Sequence, residues 1–102
     1  MTVEELKIRL KQNSNIALID VREEYEVNIC KIASSLNLPM SIFTAHFSNL
    51  PKDKELIVYC HHGIRSQAAV NFLKQQGYSQ VKNLEGGINQ WAIKIDQTMR
   101  RY

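Results

Sequence analysis

Apolar positions along this chain recur in two periods, and the switches between them outline its elements. Val3, Leu6 and Leu10 share one helical face behind Thr2 and Glu5, which have the spacing of a capping box. A helix is therefore expected from the start of the chain to about Gln12, with Asn13-Ser14-Asn15 ending it. Ile16 to Ile19 reads as a buried strand ending at Asp20, and Leu36 to Leu38 as the next strand, ended by Pro39. Ser41 is placed to cap a short helix through Leu50, with Ile42, Phe43, Phe47 and Leu50 facing the core and His46 near the surface. After the turn Pro51-Lys52-Asp53-Lys54, the run Leu56 to Tyr59 has the continuous apolar character of a strand covered on both faces. From Ser66 onward Ala69, Phe72 and Leu73 return to helical spacing, and Gly77 stands where a helix would stop, after about three turns. Val81 to Leu84 makes a last strand. Gly86-Gly87 then allows a sharp turn into a short helix, with Ile88 and Trp91 for the core and Ile95 and Tyr102 laid against the domain.

Strands alternating with helices predict an α/β fold: an open, doubly wound parallel sheet of four to five strands with helices on both faces. At 102 residues the chain fits one domain, residues 1–102, with a real core and no room for a second. The composition, 44% hydrophobic and 23% charged, is that of an ordinary globular domain. Two cysteines, Cys30 and Cys60, in a chain without a leading apolar segment argue against a disulfide scaffold and against secretion, so a reducing cytoplasm is the expected setting. No run approaches the ~18 apolar residues of a membrane span. The formal charge of +3 is too mild to imply a nucleic-acid partner, and Lys94, Arg100 and Arg101 read as a solvated tail.

The chemistry gathers at Cys60, which follows the doubly covered strand and precedes a helix. Unpaired N–H groups and the positive end of the helix dipole favour a thiolate there over a thiol. Arg65 adds a fixed positive charge, Gly63 lets the loop curl, and successive amides can converge on one anionic point. A buried structural cysteine is the plain alternative, but such a cysteine has no use for Gly63, Arg65, Ser66 and the helix behind them. Cys60-His61-His62 also invites a metal reading. Adjacent residues seldom turn their side chains to one ion, and no second cluster supplies further ligands, so no metal is expected.

Cys60-His61-His62-Gly63-Ile64-Arg65-Ser66 resembles the active-site loop of the rhodanese family of sulfurtransferases. Leu18-Ile19-Asp20-Val21-Arg22-Glu23 is similar to that family's first signature, Leu36-Asn37-Leu38-Pro39 to its next strand, and Asn83 to Trp91 to its closing motif. The resemblance reaches phosphatases whose loop is one residue longer. Here four residues separate Cys60 from Arg65, and the tighter pocket suits one sulfur atom better than a phosphate. It implies a Cys60 nucleophile, a substrate pocket of His61, His62, Gly63, Ile64, Arg65 and Ser66, and an Asp20 and Arg22 that brace the loop and pair with Glu26. It implies no cofactor, a small anionic donor such as thiosulfate, and a thiol, cyanide or sulfur-carrier protein as acceptor. Arg65→Ala would then mainly weaken donor binding. The rival reading is a sulfur carrier or interaction domain loaded by a partner protein.

The sequence also departs from the family. No residues remain for the short strand that usually precedes the first helix, so the sheet is one strand short or that strand has been trimmed. Cys30 and Lys31 replace a Gly-His pair, and Ser34 replaces a later glycine. A cysteine at this point resembles rhodanese-like domains attached to adenylating enzymes that thiolate ubiquitin-like carriers. Cys30 is read as a small buried residue, with a disulfide-forming resolving thiol as the alternative.

Overall fold

A computed structural model describes residues 1–12 and 15–102. The expected end of the first helix at Asn13 and Ser14 lies outside the described residues. Helix α1 spans Val3–Lys11, and the Thr2 hydroxyl accepts the Glu5 amide at 3.1 Å to begin it. Strand β1, Ile16–Asp20, leads through the one-turn helix α2, Glu24–Val27, to β2, Leu36–Asn37. After the one-turn helix α3, Phe43–His46, come β3, Glu55–Tyr59; α4, Ile64–Gln75; β4, Val81–Asn83; and α5, Gly87–Lys94.

The four strands pair in parallel in the order β2-β1-β3-β4, with Asp20 beside Tyr59 where β1 and β3 end. Side chains alternate across β3. Leu56, Val58 and Cys60 join the core under α4 with Ala69, Val70 and Leu73, whereas Ile57 and Tyr59 join the opposite core with Val3, Leu6, Ile88 and Trp91 of α1 and α5. Both faces are thus covered, which is why β3 has no polar stripe.

Among the described residues no strand precedes α1, but Met1 alone runs beside β4, its amino group donating to the Asn83 carbonyl at 3.0 Å and its carbonyl accepting the Glu85 amide at 2.9 Å. Ser34, standing for the family glycine, takes the left-handed conformation at φ 69° that glycine would favour.

Leu10 shares the face of Val3 and Leu6 on α1 but is 40% exposed. Three expectations fail over residues 41–50. The single helix expected over 41–50 is broken into a 3₁₀ turn at Met40–Ile42, α3, and another at Phe47–Asn49. Ser41 does not cap it: its hydroxyl donates to the Glu23 carboxylate at 2.7 Å. The Tyr78 hydroxyl lies 3.0 and 2.8 Å from the Phe47 and Leu50 carbonyls and ties the end of this segment to the turn after α4. Phe43 and Phe47 pack edge-on against Phe72, and the twist that brings them there leaves Ile42 46% exposed.

Candidate active site

The loop after β3 sorts its own polar groups. Its carbonyls point away from Cys60 Sγ: those of Cys60 and His61 accept the Ile88 and Asn89 amides in the first turn of α5, at 2.9 and 3.0 Å, and that of Gly63 accepts Asn83 Nδ2 at 3.1 Å. Its donors point inward. Sγ accepts the Gly63 amide at 3.1 Å, the Ser66 amide at 3.4 Å and the Ser66 hydroxyl at 3.3 Å. Two glycines make this arrangement possible. Gly63 precedes α4 at φ 111°, a conformation closed to residues with a Cβ, and aims its amide at the sulfur. Gly87, at φ 59°, lets α5 approach so closely that a Cβ would lie 2.5 Å from the Cys60 carbonyl oxygen. Gly87→Ala is accordingly expected to destabilise the domain by about 2–4 kcal/mol, the left-handed strain plus a backbone clash. Urea unfolding of the variant beside the parent measures it, and a loss under about 1 kcal/mol would show that α5 can retreat at little cost.

Burial alone would push the Cys60 thiol up. The Ser66 hydroxyl and the amides of Ser66, Gly63 and His62 outweigh it, so the thiol titrates below its ordinary value. The Ser66 hydroxyl has one proton, however, and two acceptors, Sγ and Asn83 Oδ1. A thiolate draws that proton to sulfur. Ser66→Ala should therefore move the pH profile of Cys60 alkylation to higher pH, since the thiolate loses a donor that the thiol hardly needs. An unmoved profile would mean that the serine proton stays with Asn83.

Beside the loop, Arg65 grips Glu26 with two bonds of 2.6 and 2.8 Å. This ion pair, helped by the Tyr102 hydroxyl, holds the buried Glu26 carboxyl down to about 2 and keeps the guanidinium charged. Arg22 and Asp20, both fully buried, form a second pair, with Arg22 Nη2 at 2.7 Å and Nε at 3.0 Å from the carboxylate. The expected pairing is therefore redistributed. The Glu26 carboxylate belongs to Arg65, and Arg22 reaches only its backbone carbonyl at 3.3 Å, because α2 turns the Glu26 side chain outward toward the loop. Arg22 also donates to the Cys30 carbonyl at 2.7 Å, so what it braces directly is the segment after α2.

The structure brings Cys60, Gly63, Arg65 and Ser66 together and sets the other pocket residues at the rim. His61 is half-buried, its ring against those of His62 and Tyr102; burial first, then His62, lowers its pKa. His62 is exposed, and Ile64 is 83% exposed. Cys30, expected to be buried, is half-buried and packs against the core opposite to the one that holds Cys60. Among the described residues no group of three His, Cys, Asp or Glu converges as a metal site, and no helix is long and apolar enough to cross a membrane.

Sequence reasoning missed three contributors. Asn83 and Gly87 sit inside the closing motif, where a polar residue at a strand end and a paired glycine were the available signals. Tyr102 carried no signal: its hydroxyl accepts from Arg22 at 3.0 Å and donates to Glu26 at 2.8 Å, across gaps of 80 and 76 positions.

Comparison with known proteins agrees with this geometry. The rhodanese-like domain family matches residues 2–94. A sulfurtransferase from Allochromatium vinosum is 40% identical over 89 residues, covering 87% of this chain and 83% of its own. A thiosulfate sulfurtransferase from Coxiella burnetii is 34% identical over 82 residues, 80% and 77% of the two chains. The crystal structure of a rhodanese-related protein from Thermoplasma volcanium superposes with a TM-score of 0.86 at 36% identity, covering 93% of this chain and 91% of that one.

Proposed function

Because this chain belongs to the rhodanese-like domain family, with relatives named sulfurtransferases, we propose that it moves one sulfane sulfur atom through a persulfide on Cys60. The observation that carries the reading is the convergence of two amides and a hydroxyl on Cys60 Sγ at the start of α4. A persulfide puts its negative charge one atom further out, still within the ring of donors and beside Arg65.

In the first step the Cys60 thiolate attacks the outer sulfur of thiosulfate. A sulfur–sulfur bond forms to Cys60, the bond to the inner sulfur breaks, and its electron pair leaves with sulfite. In the second step cyanide or a thiolate attacks the terminal sulfur of the persulfide and takes it, returning the bonding pair to Cys60 as thiolate. Splitting one exchange into two displacements uses the same donors twice. The donor anion meets the guanidinium of Arg65, whose grip on Glu26 leaves it 38% exposed. His61, His62 and Ile64 form the rim, Asp20 and Arg22 the support behind it. Two free cysteines suit a reducing compartment such as the cytoplasm, and a sulfur-carrier protein is a fitting acceptor.

The test is thiocyanate formation from thiosulfate and cyanide, run beside the intact mass of the protein before and after thiosulfate. Turnover together with the gain of a single sulfur atom supports the reading. Neither signal from folded, reduced protein would overturn thiosulfate as donor and favour the carrier charged by a partner.

A further inference from the structure

The two flanks of the Cys60 loop differ sharply. On the side of His62, Gly63 and Ile64 lies an open depression of about 590 Å³ that continues along Gln67 and Asn83. On the side of His61 only about 10 Å³ is free, room for about one water, in a cleft between Cys30, Ile88, Ala92, Arg100 and Tyr102. Tyr102 is the lining residue that lies against the loop itself. Its ring stacks on the His61 imidazole with centroids 3.9 Å apart and planes 6° from parallel. Its hydroxyl is pinned on both sides, accepting from the buried Arg22 and donating to Glu26, the carboxylate that holds Arg65. A lone surface tyrosine would swing freely. This one is tied by charge-assisted bonds to Arg22 and Glu26, the buried members of two ion pairs.

We propose that Tyr102 is a specificity-determining residue of the sulfur-transfer site: its anchored ring shuts the His61 flank of the loop and confines acceptors to the His62–Ile64 flank. This rests on the reading of Cys60 as the sulfur-bearing residue. Cyanide and slender thiols pass by the open flank, whereas an acceptor that needs both flanks, such as a bulky thiol compound, is turned away. The anchoring bonds keep the ring in place, so Tyr102→Phe loosens the gate and Tyr102→Ala removes it.

Access to Cys60 can be read without any sulfur donor. Cys60 is alkylated with iodoacetamide and with a neutral coumarin-bearing iodoacetamide, which share one reactive group and differ in bulk, and its labelling is separated from that of Cys30 by peptide mass. A shift in thiolate fraction changes both rates alike, so with urea unfolding of each variant confirming that the domain stays folded, the bulky-to-small rate ratio reports the gate. That ratio is expected to rise at least about fivefold in Tyr102→Ala and about twofold in Tyr102→Phe, on the scale set by one or two lost hydrogen bonds. Persulfide transfer to glutathione should rise in parallel relative to cyanide. An unchanged labelling ratio in Tyr102→Ala overturns the proposal, and should that variant fail to fold, the ratio in Tyr102→Phe decides it. Failure of the parent protein to take sulfur from thiosulfate would count against the proposed reaction and leave the labelling test intact.

Discussion

Cys60→Ser is expected to fold like the parent and to transfer no sulfur. The hydroxyl that replaces the thiol is smaller but can still accept from Gly63 and Ser66, so the loop keeps its donors satisfied and stability should change by less than about 1.5 kcal/mol. Chemistry is another matter. A serine hydroxyl is not ionised near neutral pH where, among the described residues, the groups bonded to position 60 are donors, and oxygen forms no stable equivalent of a persulfide. Loss of the nucleophile should lower turnover at least about a thousandfold and abolish the mass gain on exposure to thiosulfate. The pairing of the two measurements matters: residual turnover with no mass gain would place the transfer on another group, and a mass gain that persists would move the sulfur to Cys30. Either result defeats the mechanism.

Arg22→Ala should be the most destabilising single change at the site, although Arg22 does not touch the sulfur. Its guanidinium is fully buried and bound to Asp20, to the carbonyls of Glu26 and Cys30, and to Tyr102. Burial works against its charge, and its bonds to Asp20 and Tyr102 more than restore it. Truncation leaves the buried Asp20 carboxyl without its cation, which costs about 3–5 kcal/mol. Against a total of about 5–15 kcal/mol for a domain of this size, the melting temperature should fall by at least about 12 °C. Adding Asp20→Asn to the same chain removes the stranded charge and should return part of the loss. A double variant no more stable than Arg22→Ala alone, or a single-variant loss below about 1 kcal/mol, would show that water replaces the arginine and that the pair is not the brace.

Legibility in the sequence followed the range of the interaction. Leu56 to Tyr59 announced a doubly covered strand because burial on both faces leaves no polar positions, and Ala69, Phe72 and Leu73 announced α4 because a helix repeats over a few residues. Cys60, Gly63, Arg65 and Ser66 could be read together for the same reason: one short loop holds them. The segment 41–50 defeated the reading, since Phe43 and Phe47 pack against Phe72, a partner about 25–30 positions away that the local pattern does not name. Glu26, which the family resemblance pairs with Asp20 and Arg22, has its carboxylate on Arg65 instead, because the direction in which α2 turns the side chain is set by the fold.

What the sequence determined by itself is therefore the α/β alternation, the parallel sheet, and a cysteine held before a helix with its donors nearby in the chain. Backbone periodicity and a contiguous loop encode these, and neither needs a distant partner to be recognised. The tertiary structure alone decided that α5 takes the loop carbonyls and so leaves its amides for sulfur, that Arg65 rests on Glu26, and that Tyr102 closes one flank. These are matters of which groups from remote parts of the chain meet at the carboxyl ends of β1 and β3. The directions in which folded elements point their side chains settle them, and spacing along the chain carries no record of those directions.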